Sequence, residues 1–142
     1  MKITEHFKLE EFVHGSIQAV PANVKANIEK LCFNYLEPLR LYFGPIVINS
    51  GYRTELENSC CGGAKNSYHL KGLAADIRCK DVDDAIEKAA WLIRRESEFM
   101  INTNHFAELI ISNNSKGSWW VHFALRRDIT DHKRIVKFEH YG

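Results

Sequence analysis

The sequence has 142 residues, of which 45% are hydrophobic and 26% charged. These values are typical of one ordinary globular domain, and they exclude a disordered chain and a collagen-like repeat. The 19 basic and 18 acidic residues leave a net charge of +1, which argues against a nucleic-acid partner bound through bulk charge. No apolar run is long enough to span a bilayer, and the first twelve residues lack an apolar signal segment. We therefore expect no membrane partner and synthesis in the cytoplasm.

The first half of the chain predicts a long helix. Pro21 is a favourable first helical residue, and apolar residues then recur every three or four positions. The predicted buried face consists of Val24, Ile28, Leu31, Tyr35 and Leu39. Gly44 and Pro45 end this pattern, and a short buried strand over Ile46–Ile48 is expected to follow.

A second helix is expected to begin near Asp81, where acidic residues cluster, and to end near Arg95. Its predicted apolar face consists of Val82, Ile86, Ala89, Ala90 and Ile93. Three β-rich runs with polar turns between them follow, at Glu108–Ser112, Trp119–Leu125 and Ile135–Phe138. Helices followed by a small antiparallel sheet predict an α+β fold, and the absence of repeats or linkers predicts a single domain over residues 1–142.

The four cysteines are interpreted as reduced thiols rather than as a metal site. They are Cys32, Cys60, Cys61 and Cys79. The adjacent pair suggests a metal, but no C-x-x-C spacing occurs.

A segment of about thirty residues between the two helices, starting at Ser50, has no helical period and contains two glycine clusters. Within it, His69 and Asp76 lie seven residues apart, and His122 falls in the later strand Trp119–Phe123. Two imidazoles and one carboxylate, with one position left open, are the ligands of a catalytic zinc site. Spacing alone favours a different interpretation, in which the three are a loop histidine, a strand-end carboxylate and a half-buried histidine.

Several motifs along the chain favour the zinc site over this second interpretation. They are Phe7-x-Leu9-x-Glu11-Phe12, Leu36–Arg40, Ser50-Gly51-Tyr52-Arg53, Gly62–Ser67, Ser67-x-His69-x-x-Gly72-x-Ala74-x-Asp76 and Trp120-x-His122. In this order they resemble the motifs of the zinc D-alanyl-D-alanine peptidases, in particular of the subfamily found in phage lysins and bacterial genomes. The resemblance extends from about residue 5 to 125.

The resemblance implies a small α+β domain with a central antiparallel sheet and helices packed on it, a fold shared with lysostaphin-type peptidases and the hedgehog signalling domain. It also implies one zinc ion held by His69, Asp76 and His122. Arg53 would bind a substrate carboxylate or stabilise charge on the tetrahedral intermediate, and Ser67 would hydrogen-bond near the site. The alternative for Arg53 is a structural pair with a nearby glutamate.

The implied activity is hydrolysis of peptidoglycan peptides, commonly at bonds that involve D-amino acids. The chain would act on the cell wall after release or export, either as an endolysin-like enzyme or in wall remodelling. Its short length suggests a monomer.

One family feature is missing, the glutamate that takes a proton from the attacking water. Relatives carry it three residues before the last histidine or at the end of the preceding strand, where this chain has Trp119 and Ser112. Glu108 is the only carboxylate of that strand and is our candidate catalytic base, although four residues of strand, about 13 Å, separate it from Ser112. The alternatives are that Glu108 is an outer-face or edge carboxylate and that the base lies elsewhere, at His140 or at a carboxylate that contacts the ligands.

Three hypotheses therefore remain open. The first is an active zinc peptidase of the cell wall, which the ligand set favours. The second is a zinc-containing binding domain with little or no turnover, which the missing glutamate favours. The third is a domain in which the metal only stabilises the fold.

Overall fold

The computed structural model describes residues 1–99 and 105–142 and has an α+β fold with one five-stranded sheet. The α-helices are α1 Ala22–Leu31, α2 Glu37–Phe43, α3 Glu55–Cys60 and α4 Val82–Phe99. The strands are β1 Ile48–Ser50, β2 Ala74–Cys79, β3 Phe106–Asn114, β4 Trp119–Leu125 and β5 Ile135–Tyr141. Short 3-10 helices cover Leu9–Phe12, Ile17–Ala19 and Tyr68–Lys71. None of the described helices is both long and apolar enough to cross a membrane.

The predicted first helix is confirmed. A π-helical turn, Cys32–Leu36, joins α1 to α2, so the chain is helical from Ala22 to Phe43. All five residues of the predicted face are buried. The helix ends where Gly44 takes a φ of 88°, a left-handed conformation that favours glycine.

The sheet has the strand order β1-β2-β4-β3-β5. The first four strands pair antiparallel, as predicted, but β5 pairs parallel to β3 and makes the sheet mixed. The reason lies in the connection from β4 to β5, which passes the end of β3 where Phe106 pairs with Leu125. Strand β5 then begins opposite Glu108, at the same end as β3 itself.

The predicted apolar face of the second helix is wrong except at Ala89. In α4, Val82, Ile86 and Ile93 are 36–43% exposed and Ala90 is exposed as well. The buried residues are Ala85, Lys88, Ala89, Leu92 and Glu96. Lys88 and Glu96 are buried because each has an ionic partner, Asp84 and Arg134 respectively. A buried helix face that contains such paired charged residues is not found by a search for periodic apolar residues.

Two further differences concern the segment around the candidate site. The strand predicted over Ile46–Ile48 forms two residues later, as β1. The segment predicted without helical character contains α3, which begins at a capping box formed by Thr54 and Glu57. All four cysteines are free thiols, with Cys32 and Cys79 buried.

Candidate metal centre

The structure brings His69, Asp76 and His122 together. One ligand atom of each lies within 4.8 Å of the others. Asp76 on β2 is the register partner of His122 on β4, so the pairing of these two strands places both side chains on the same face. His69 comes from the 3-10 helix Tyr68–Lys71 and is only 2% exposed, which excludes the interpretation as a surface loop residue.

Two local features hold His69 in place. Its backbone N–H donates to the Ser67 hydroxyl oxygen (3.2 Å), which caps the short helix. Gly72 ends the helix with a φ of 70°, and a Cβ atom there would come within 2.8 Å of the Val24 side chain. Glycine is thus required at Gly72 both by conformation and by space, which explains this part of the sequence motif.

The ring of His69 is oriented with its lone pair toward Asp76. Nδ1 donates to the Gly51 carbonyl oxygen at 2.6 Å, so Nε2 carries no proton in the neutral ring. Nε2 is buried, lies 3.3 Å from Asp76 Oδ1 and has no hydrogen-bond partner within the described part of the chain. A buried acceptor that faces a carboxylate oxygen favours a positive charge between them, either a proton or a metal ion. Two imidazoles and a carboxylate suit zinc, so the residues present fit this metal.

His122 lies between two carboxylates. Its Nδ1 is 2.9 Å from Asp76 Oδ1, and its Nε2 is 2.8 Å from Glu108 Oε1. Burial alone would lower the pKa of His122, but the hydrogen bonds to Asp76 and Glu108 raise it to about 9. Burial would likewise raise the pKa of Asp76, but the two imidazoles hold it well below its usual range.

Glu108 occupies the side of the His122 ring away from Asp76. Its second carboxylate oxygen, Oε2, accepts from Lys133 Nζ at 2.6 Å. These two partners outweigh the effect of burial and lower the pKa of Glu108 to about 2. Glu108 is neither an outer-face nor an edge carboxylate, because β3 lies between β4 and β5 and the side chain is 14% exposed. Its geometry is that of an outer carboxylate that orients a metal-binding histidine.

Arg53 lies on the opposite side of Asp76. Its NH2 nitrogen is 3.6 Å from Asp76 Oδ2, and its other contacts are with Ser50 Oγ (3.1 Å) and Asn58 Oδ1 (3.3 Å). Among the described residues, no glutamate forms an ion pair with Arg53. The alternative interpretation, a structural pair with a nearby glutamate, is therefore wrong. The guanidinium is mostly buried and lines the cleft beside the three candidate ligands.

The candidate ligands lie at the base of an open cleft of about 510 Å³. Ser67, predicted to bind near the site, lines this cleft and caps the helix that carries His69. Trp120 forms part of the wall, stacked on Tyr141 with ring centroids 5.6 Å apart.

Three charged residues of this cleft were not predicted from the sequence, namely Lys133, Lys137 and Glu139. Glu139 lies on β5 directly opposite Ser112 of β3. A signal for it was present, because Lys137, Glu139 and Tyr141 alternate along a strand in the way that one polar face requires. What the sequence did not show is that this strand pairs parallel to β3 and so closes the cleft.

An open His–Asp–His centre in a cleft on an α+β scaffold is the arrangement of a metal-dependent hydrolase. In a comparison with protein families, residues 5–108 match the family described as Peptidase M15. The chain belongs to this family of zinc D-Ala-D-Ala carboxypeptidases, which confirms the resemblance seen in the motifs. The match ends at Glu108, so His122 joins the site through its position in the structure. A comparison with curated proteins gave no match.

Proposed function

We propose that the protein is a zinc-dependent peptidase that hydrolyses peptidoglycan peptides containing D-amino acids, in an endolysin-like or wall-remodelling role. The observation that carries this proposal is the buried, unpartnered Nε2 of His69, which faces Asp76 beside His122 in an open cleft. Membership of the M15 family supports a metallopeptidase as the general class.

Each residue of the site has a proposed task. His69, Asp76 and His122 would hold one zinc ion, which when bound supplies Lewis-acid activation of water and of the scissile carbonyl. Glu108 accepts from His122 Nε2 and so orients the ring with Nδ1 toward Asp76, the orientation in which His122 would hold the metal. Arg53 would bind a carboxylate of the substrate or stabilise the negative charge that develops on its carbonyl oxygen.

The test is the incubation of zinc-loaded protein with purified peptidoglycan and with synthetic stem peptides, followed by mass spectrometry of the released products. Free D-alanine would identify a carboxypeptidase, and shortened cross-links would identify an endopeptidase. His122→Ala protein serves as the matched control, because it keeps the cleft but lacks one ligand. Absence of any product at a 1:1 zinc content would overturn the proposal.

One observation favours a second candidate, a zinc-containing binding domain with little turnover. The position of the family glutamate is taken by Ser112, whose hydroxyl is a poor proton acceptor near neutral pH. Under this hypothesis the zinc-loaded protein binds peptidoglycan in a pull-down assay but releases no peptide.

A further inference from the structure

The wall of the cleft opposite β2 is formed by β5, the strand that pairs parallel to β3. The register places Lys137 beside Ile110 and Glu139 beside Ser112. Lys137, Glu139 and Tyr141 alternate onto the face that lines the cleft, together with Ile110 and Ser112. His140 alternates to the other face, where its ring contacts Asn113 (2.9 Å), so it lies outside the cleft.

Three described carboxylates line the cleft, and two already have tasks. They are Asp76, Glu108 and Glu139. Asp76 faces both histidines, and Glu108 has one oxygen on His122 and the other on Lys133. Neither oxygen of Glu108 is free to face a water on the Nδ1 side of the His122 ring. Glu139 is the carboxylate that remains.

The surroundings of Glu139 keep it charged and directed into the cleft. Hydrogen bonds from Tyr141 and Lys137 (2.9 Å to Nζ) lower its pKa, and the nearby His122 acts in the same direction. Its side chain is 30% exposed, so the carboxylate is partly open to the cleft. Tyr141 is itself held by its stacking on Trp120.

We propose that Glu139 is the catalytic base of this peptidase, replacing from the neighbouring strand the carboxylate that is absent at Ser112. The inference rests on the proposed function. In the reaction, the Glu139 carboxylate accepts one proton from the attacking water as the water oxygen bonds to the scissile carbonyl carbon. The same proton then passes to the leaving nitrogen as the C–N bond breaks, while the second proton of the water stays on the new carboxyl group. The products are a carboxylic acid and an amine, and Glu139 is again ionised.

The first test is Glu139→Gln, which keeps the shape of the side chain but removes its basicity. We expect a loss of roughly 10²–10⁴ in turnover, the usual contribution of a positioned acid–base group. Zinc content and melting temperature should equal those of the parent. Glu98→Gln is the matched control, because Glu98 pairs with Arg94 on the exposed side of α4, outside the cleft. It should keep parental turnover.

The second test uses the register neighbour. In the Ser112→Glu/Glu139→Gln double variant, a carboxylate stands at the family position, one strand closer to His122 than Glu139. We expect the turnover of the double variant to be at least tenfold higher than that of Glu139→Gln. A merely structural role for Glu139 would not be rescued in this way.

A third readout does not depend on turnover. A phosphinate peptide analogue mimics the tetrahedral geometry, and its binding should be accompanied by uptake of about one proton as the base becomes protonated. Calorimetry in buffers of different ionisation enthalpy measures this uptake, and Glu139→Gln should abolish it.

The outcomes separate the two proposals. If Glu139→Gln at full zinc content shows the same turnover and proton uptake as the parent, Glu139 is not the base. The proposed peptidase function is unaffected by this result. A zinc-loaded parent that is inert on every peptide would overturn the proposed function, and the base with it.

Discussion

His122 is the residue on which the site depends, because each of its ring nitrogens faces a different carboxylate. Hydrogen bonds to Asp76 and Glu108 raise the pKa of His122 and favour its imidazolium form. A zinc ion held by this histidine would need the ring without its extra proton, so we expect protons and zinc to compete for His122.

The stability of the metal-free protein should consequently fall in the alkaline range. The pKa of His122 is raised in the folded state to about 9, so the stabilisation is complete below the unfolded value near 6.5 and is lost as the pH rises through 9. We expect urea denaturation of chelated protein to show that His122 lowers the free energy of unfolding by about 2–3 kcal/mol between pH 6.5 and pH 9.5. In His122→Gln the decrease should be smaller by this amount, and the part that remains comes from Cys32 and Cys79, whose thiol pKa values are raised by burial in both proteins. An equal dependence in both proteins would contradict the assignment.

Glu108→Gln distinguishes a positioning role from the role of catalytic base that the sequence suggests. If Glu108 orients His122, the variant should bind zinc 10- to 100-fold more weakly, and turnover per bound zinc should change much less than this. If Glu108 is the base, the variant should keep its zinc and lose roughly 10²–10⁴ in rate. Zinc affinity from competition with a chelator, measured beside turnover at saturating zinc, decides between the two.

Arg53→Lys tests whether the guanidinium serves substrate or fold. The substitution keeps the charge but removes the fork that binds a carboxylate through two nitrogens. We expect at least a tenfold loss of turnover, about 1.4 kcal/mol of transition-state stabilisation, with little change in melting temperature. A lower melting temperature with unchanged turnover per folded molecule would show that the contacts with Ser50 and Asn58 are the important ones.

At the scale of elements, one buried charge holds β5 in position. Glu96 of α4 is 8% exposed and accepts from the backbone N–H of Phe106 (2.8 Å) and from NH1 of Arg134 (2.8 Å). Arg134 immediately precedes β5, and its NH1 also donates to the Phe106 carbonyl oxygen (2.8 Å). One carboxylate thus ties helix α4 to the beginning of both parallel strands.

Removal of this charge should loosen the cleft wall. Glu96→Gln leaves the Arg134 guanidinium without its ionic partner, and we expect a loss of about 1–3 kcal/mol in the free energy of unfolding. This is less than for a fully buried pair, because Arg134 is 48% exposed. The midpoint of urea denaturation measures the effect. Glu98→Gln, on the same helix, should change the free energy of unfolding by less than about 0.5 kcal/mol. Equal midpoints of denaturation for the two variants would refute the role of Glu96.

At the scale of the whole molecule, the buried core consists of apolar side chains and does not include the three candidate ligands. The buried apolar cluster runs from Phe7 and Leu9 through α1 to Phe123. Removal of the metal should therefore leave the fold intact.

Chelation is expected to keep the far-ultraviolet circular dichroism spectrum unchanged. Zinc at 100 times its dissociation constant should add about 2.7 kcal/mol and raise the melting temperature by about 5–10 °C. Elemental analysis should give one zinc per chain for the parent and much less for His122→Ala, which should show no thermal shift. A chelated protein without helical signal would mean that the metal is required for folding.

Much of this architecture could be predicted from local pattern. The spacing of Val24, Ile28 and Leu31 identified the buried helix face, and a β-rich run between polar turns identified β4 to the residue. The motif around His69 indicated two of the candidate ligands. These features depend on residues close in sequence.

What could not be predicted depends on partners far away in the chain. The buried face of α4 was missed because Glu96 is paired with a residue 38 positions later. The place of Glu108 was missed because distance was counted along its own strand to Ser112, whereas its carboxylate reaches His122 across the strands at 2.8 Å. The position of Glu139 depends on the parallel pairing of β5 with β3. The alternation of residues along a strand does not indicate which strand it pairs with or in which direction.

The distribution of the three ligands along the chain has a consequence for folding kinetics. His69 and His122 are 53 residues apart, and the strands that carry Asp76 and His122 become neighbours only when β2 and β4 pair. Such long-range pairing forms late, because the entropy of closing the loop has to be met first. The candidate zinc site is thus not assembled in the unfolded chain. We expect bound zinc to lengthen the lifetime of the native state by slowing unfolding and to leave the rate of folding nearly unchanged.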